Sequence, residues 1–419
     1  MQKNRLKQVL LEQSEFSTKT SVVREELKTF KSKLENPFVV IVTGIRRSGK
    51  STLLNQLRQK TKDNYYINFD DERLFDFRIE DFETLYEVFI ELFGKQDRFY
   101  FDEIQNILGW ERFVRRLTDS GKKVLITGSN ANLLSKELGT HLTGRYIQIE
   151  LFPFSFFEFL SLKKLKLHKN DVFLRAKRVE IKKYFNQYLE QGGFPQYLKT
   201  QESDYLKLLH ENILYRDILV RYGIRQEKSL KQIVHFLTSN ISKEFSYNSL
   251  KTISMLKNTT TIGDYIFYLE NAYFLFTLNR FDYSLKKQLV NPKKIYSIDT
   301  GLANQISFRF SEDRGKQLEN IVFLQLKREN KKLYYHRAKK ECDFLIKKRD
   351  RIVGAIQVCL SLDDIETKKR EVDGIIDACK TYSLTEGLIL TEDEEFNLIQ
   401  QGITIKVIPI WKWLLRDHF

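Results

Sequence analysis

The chain has 419 residues, with 70 Lys and Arg against 55 Asp and Glu, a formal net charge of +15. A hydrophobic content of 42% with 13% aromatics excludes a disordered chain, and three cysteines in this length exclude a disulfide scaffold. The longest near-apolar stretch, Phe38–Ile45, is far short of the ~20 residues of a membrane span, and the basic N-terminus lacks the apolar centre of a signal peptide; a cytoplasmic, multidomain protein without a membrane partner is expected.

Residues 1–36 read as a helical extension, because KQVLLEQ and VVREELKTFKSKL place apolar residues three and four apart. FVVIVT at Phe38–Thr43 is a β-branched run closed by Gly44, which suits a strand buried on both faces, and Thr52–Gln59 returns to helical spacing. Tyr65–Phe69, Arg98–Asp102 and Val124–Thr127 are further short apolar runs, separated by helical stretches at Phe82–Phe93 and Trp110–Asp119. Strands alternating with helices predict a parallel α/β sheet within residues 37–160. Residues 161–225 read as a helical, lid-like region broken at Gly192-Gly193-Phe194-Pro195. Residues 226–290 read as short helices, with Asn240–Lys257 as a winged-helix-like reader or a plain helical spacer, and DYIFYLENAYFLFTLNRF as an extended pair. Across 291–419 strands return as KIYSID, KLYYHR, CDFLIKK, IVGAIQV, GLILT and ITIKVIPI, around a helix at Gln317–Arg328.

Gly44-Ile45-Arg46-Arg47-Ser48-Gly49-Lys50-Ser51-Thr52 fits G-x-x-x-x-G-K-[ST] between a predicted strand and a predicted helix, the context that a phosphate-binding loop requires. The two glycines let backbone N–H groups turn inward around an anion, and the following helix adds its N-terminal dipole. Lys50 suits the β- and γ-phosphates of ATP, and the Ser51 hydroxyl suits Mg2+. The strand Phe99-Tyr100-Phe101 closes on Asp102-Glu103, a Walker-B pattern in which Asp102 holds Mg2+ and Glu103 polarises the attacking water. Val124–Thr127 leads into Gly128-Ser129-Asn130, where Ser129 or Asn130 is a candidate sensor of the γ-phosphate. Arg145 is a candidate arginine finger, acting in its own chain or in a neighbour's, or else a surface ion pair.

GIRRSGKST, the NFDDERL segment, YFDEIQ, ITGSNANLLS, LTGRY, ELFPFSFFEFL, QGGFPQYL, YRDIL, KIYSIDTGL and VIPIWKWLL together resemble the prokaryotic AAA+-superfamily ATPases, and more narrowly the group with a conserved C-terminal domain of undefined function. The resemblance spans nearly the whole chain. It implies an ATPase core, a helical and winged-helix-like middle, and a C-terminal α/β fold similar to restriction endonucleases. Nucleases of that fold use an acid on a helix, an Asp on one strand and an E-x-K on the next. Glu319 and Asp343 match the first two, whereas Gln357-Val358-Cys359 stands for the third. A neutral amide is a poorer Mg2+ ligand and a thiol removes the ammonium, so a degenerate, binding rather than cleaving, domain is expected.

The excess charge lies in runs, notably Ser161–Gln187 and Lys327–Arg351. They are either solvated faces or a footprint for a polyanion. The leading expectation is a Mg2+-dependent ATPase coupled to a partner, preferably DNA. The rivals are a nucleotide-gated protein-interaction switch and an ATP-regulated nuclease, and self-association is left open.

Overall fold

The computed structural model describes residues 1–15, 22–61, 63–129, 144–307 and 314–418. The chain divides into two compact units, Met1–Phe152 and Pro153–Phe419.

The first unit is built on five parallel strands, β1 (Val39–Thr43), β2 (Tyr65–Asn68), β3 (Arg98–Asp102), β4 (Lys123–Gly128) and β5 (Tyr146–Glu150), in the order β2-β3-β4-β1-β5. All five residues of β1 are buried, as its unbroken β-branched run requires. Val39 and Ile41 join one core with the Lys3–Glu15, Asp81–Phe93 and Trp110–Asp119 helices, while Val40 and Val42 join a second with Leu53, Leu54 and Leu57 of the Lys50–Lys60 helix. Two-residue alternation thus decides which helix covers which face. The NFDDERL segment anchors the N-terminal helix: the Asn68 N–H donates to Gln13 Oε1 at 2.8 Å. β5 was absent from the sequence expectation. It is an edge strand in which only Ile149 is buried, so it lacks the apolar signature of its neighbours.

The second unit opens with helices, the longest being Arg175–Gln191. Three helices, Glu227–Ser239, Tyr247–Ser254 and Thr259–Asn271, are interleaved with a three-stranded antiparallel sheet: β6 (Glu244–Phe245) falls between the first two helices, β7 (Leu275–Asn279) and β8 (Lys293–Ser297) follow the third, and the order is β6-β8-β7. Here the expected extended pair is corrected. Its first half is helical, because Ile262, Tyr265, Ile266 and Leu269 recur at helical spacing and are all buried; only Leu275–Asn279 is extended.

The chain ends in a six-stranded mixed sheet of β9 (Lys332–Arg337), β10 (Glu341–Lys348), β11 (Arg351–Val358), β12 (Glu386–Thr391), β13 (Phe396–Gln400) and β14 (Ile403–Pro409), ordered β13-β14-β12-β11-β10-β9. β13, also unforeseen, is again a largely exposed edge strand. Among the described residues no helix is long and apolar enough to cross a membrane.

Interlocking glycine motifs stabilise the start of this unit. A Cβ on Gly193 would meet the Phe154 carbonyl oxygen at 2.3 Å, and one on Gly301 would meet that of Gln191 at 2.1 Å. Asp299 accepts from the Gly193 N–H at 2.6 Å and the Leu302 N–H at 2.8 Å, capping the Thr300–Ile306 helix.

Candidate functional site

The carboxyl ends of β1, β3 and β4 are adjacent in the sheet, so the three predicted motifs meet at one edge, where ligands of open parallel sheets bind. Gly44 leaves β1 at φ +150°, and a Cβ there would lie 2.1 Å from the Leu151 carbonyl oxygen. Gly49, at φ 99°, precedes the Lys50–Lys60 helix with no side-chain cap. The first N–H groups of that helix therefore face the loop without a competing side chain. Arg47 also adopts a left-handed conformation, at φ 67°, the kind of backbone that builds an anion-binding concavity. Ile45 and Ser48 are buried, Arg46 and Thr52 are half-buried, and Arg47 and Ser51 are exposed.

The Lys50 ammonium is buried inside the loop, donating to the carbonyls of Gly44 at 3.0 Å and Ile45 at 3.1 Å, and stands 3.9 Å from Glu103 Oε1. Asp102 is fully buried. The Ser51 and Thr127 hydroxyls both hydrogen-bond its carboxylate, and the Tyr66 hydroxyl approaches at 3.5 Å. Burial pushes the Asp102 carboxyl up to about 6, the Glu103 charge adds to this, and Thr127, Ser51 and Lys50 pull it back. Glu103 sits at φ 51°, held there by its N–H donating to Thr127 Oγ1 at 3.0 Å. Ser129 is buried at the tip of β4; its alternative, Asn130, lies outside the described residues.

Two residues escaped the sequence reading. Thr127 links both Walker-B acids through one hydroxyl; its position at the end of the strand before Gly128-Ser129 was the available signal. Arg24, only 2% exposed, donates to the carbonyls of Ser48 at 2.7 Å and Phe152 at 2.7 Å, bracing the loop from behind. No local pattern announces it, since its partners lie 24 and 128 residues away.

Arg145 is not brought to this cluster. β1 and β5 run parallel with Val39 opposite Tyr146, so Arg145 stands at the amino end of the sheet, roughly 15 Å from the loop at ~3.3 Å per strand residue. It is exposed and pairs with Asp119 at 2.8 Å, which removes the finger role within its own chain.

Among the described residues no group of three or more His, Cys, Asp and Glu side chains stands ready to hold a metal ion. Ser51 and Asp102 nevertheless present two oxygens in mutual contact, which fits Mg2+, an ion that takes one or two protein oxygens and completes its shell with phosphate and water.

In the second unit Glu319, on the Arg314–Arg328 helix, and Asp343, on β10, do meet. They do so around an unforeseen residue, Lys294 of β8, whose ammonium lies 3.1 Å from Glu319 Oε1 and 2.8 Å from Asp343 Oδ1. Gln357 accepts from the Asp343 N–H at 3.2 Å and donates to Glu371. All three cysteines are buried thiols; burial pushes Cys359 upward, and no cysteine is disulfide-bonded.

A glycine-framed loop after a buried parallel strand, with its lysine beside a strand-end Asp-Glu pair, defines an AAA-type P-loop protein, and the family profile of an AAA domain matches residues 36–160. A profile of a domain of unknown function matches residues 182–313. The chain belongs to the same family as the uncharacterised protein MJ1544 of Methanocaldococcus jannaschii, with which it is 34% identical over 97% of this chain and 94% of that one. It is also 30% identical to an uncharacterised protein of Haemophilus influenzae, over 91% of this chain and 95% of that one. Among solved structures, the Walker-type ATPase PABY2304 of Pyrococcus abyssi aligns with a TM-score of 0.43 and 15% identity, covering 70% of this chain and 99% of that one.

Proposed function

We propose that the protein is a Mg2+-dependent ATPase whose nucleotide state repositions its C-terminal unit on a partner, nucleic acid being the preferred one. The observation that carries this is the convergence of Lys50, Ser51, Asp102 and Glu103 at one sheet edge, with Thr127 fixing the two acids. Residues 44–52 wrap the phosphates. Lys50 turns from the Gly44 and Ile45 carbonyls to the β- and γ-oxygens, so anion binding is coupled to the shape of the loop. Ser51 and Asp102 would hold Mg2+, which when bound would supply charge neutralisation to the phosphates. Glu103, displaced from the strand by its left-handed backbone, orients and polarises water, and Ser129 reads the γ-phosphate. An Arg145 finger can act only from a neighbouring copy. Loss of the γ-phosphate contacts on hydrolysis is the event that releases the switch.

The preference for nucleic acid is supported by exposed bases Lys164, Lys166, Lys169, Arg175, Arg178 and Lys183 in one run, and by the helix–strand–helix–helix–strand–helix–strand order of residues 227–297, which suits a winged-helix-like reader. The endonuclease-like C-terminal part is read as a binding module, on the strength of Gln357 and Cys359.

The test uses two variants of the full chain. Lys50→Ala should lose nucleotide binding, and Glu103→Gln should bind ATP without turning it over. Normal turnover in either variant overturns the assignment.

A further inference from the structure

The geometry points to Lys294 as a built-in cation, occupying the seat that a divalent metal would take among Glu319, Glu341 and Asp343, so that the C-terminal unit carries no hydrolytic metal centre. Three carboxylate oxygens from a helix and a strand close on one ammonium, at 3.1 Å from Glu319 Oε1, 2.8 Å from Glu341 Oε1 and 2.8 Å from Asp343 Oδ1. The ammonium donates hydrogen bonds to Glu319 and Asp343 and forms an ion pair with Glu341. The Lys294 side chain is 3% exposed, with Glu319 at 11% and Asp343 at 7%. A lysine is almost never this deeply buried unless paired.

The shell is one that hard cations favour, oxygen-only and rich in carboxylate. A second layer holds Glu319 and Asp343, while the Glu341 side chain is 40% exposed. Tyr296 donates to Glu319 Oε1 at 2.7 Å, the Val358 N–H donates to Asp343 Oδ2 at 2.9 Å, and Gln357 bridges the Asp343 N–H to Glu371. The surrounding carboxylates hold the lysine protonated against the cost of its burial, and burial together with the Asp343 charge pushes the Glu319 carboxyl upward. A lysine supplied by β8 therefore does structurally what a bound ion would do, and it cannot leave. This inference deepens the reading of the C-terminal unit as a binding module. It does not depend on the nucleotide site.

The experiment titrates Mn2+ into the nucleotide-free full chain, following free Mn2+ by electron paramagnetic resonance and unfolding by circular dichroism. The wild type should show no Mn2+ binding that Asp343→Asn removes, and no metal-dependent shift in melting temperature. Lys294→Ala leaves the carboxylates without their cation. It should melt lower than the wild type, take up one further equivalent of Mn2+ and recover stability on doing so, with both gains lost in Lys294→Ala/Asp343→Asn. A folded Lys294→Ala that takes up no extra Mn2+ overturns the inference. So does wild-type Mn2+ binding, or Mg2+-dependent plasmid nicking, that Asp343→Asn abolishes. Mn2+ binding lost instead in Asp102→Asn belongs to the phosphate loop and leaves the inference standing. The wild-type arm is decisive by itself where Lys294→Ala does not fold.

Discussion

Asp102 shows how much a single residue's surroundings matter. Its carboxyl is raised to about 6, so in the proposed role as a Mg2+ ligand a proton would compete with the metal for the same oxygen. The folded pKa lies above the usual aspartate value, so the proton-bound form gains below pH 6 and the metal-ready carboxylate is complete only above about pH 7. Mg2+-nucleotide affinity should be flat above pH 7 and fall about tenfold per unit well below pH 6, measured by fluorescent-nucleotide titration. An affinity unchanged down to pH 5 would contradict it. Thr127→Ala removes the hydroxyl that serves both Asp102 Oδ1 and the Glu103 N–H. Leaving these buried groups short of a partner costs about 1–3 kcal/mol. Turnover should fall well below wild type while nucleotide still binds, because Lys50 and the loop are untouched; a wild-type kcat would refute the role given to Thr127.

At the scale of elements, the phosphate loop depends on two close approaches that side chains would block. Gly44→Ala would drive a Cβ to 2.1 Å from the Leu151 carbonyl oxygen, forcing β1 and the chain after β5 apart. The expected outcome is a lower urea midpoint and loss of nucleotide binding. Gly121→Ala is the control: its φ is also positive, at +77°, but nothing lies within 4 Å, so it should cost only about 1 kcal/mol and bind nucleotide normally. Arg24→Ala removes a buried guanidinium that ties the loop at Ser48 to Phe152. Weaker nucleotide affinity in this variant, with the pH profile retained, would mark it as a positioning residue. Two of the missed strands, β5 and β13, teach a related point. Hydrophobic periodicity reports burial, and both strands lie at sheet edges where little is buried, whereas β1, flanked by strands on both sides and buried throughout, was legible at once.

For the whole molecule, the net charge of +15 gives a quantitative expectation. If the basic run around Lys164–Lys183 meets a nucleic-acid backbone, log affinity should fall linearly with log salt, with a slope near −0.9 for each phosphate neutralised on duplex DNA. Reversing Lys166, Lys169 and Arg178 to Glu should reduce that slope by roughly two to three. Absence of binding at low salt would favour a protein partner instead. ATPase rates with and without DNA, alongside the mass in solution, would show whether the partner and a second copy act on the same cycle.

The phosphate loop and the strand-end acids were readable from the sequence because their chemistry is local: nine consecutive residues, and two at the end of one apolar strand, carry the pattern within themselves. Thr127, Arg24 and Lys294 were not, since each acts on partners that only folding brings near. Lys294 sits 25 residues from Glu319 and 49 from Asp343, and no periodicity encodes such a meeting. The same limit applied to Arg145, whose reach toward the loop was set by the parallel register of β1 and β5. Local sequence fixes which groups are present and which backbone they can adopt; long-range pairing in the sheets decides which of them share a point in space.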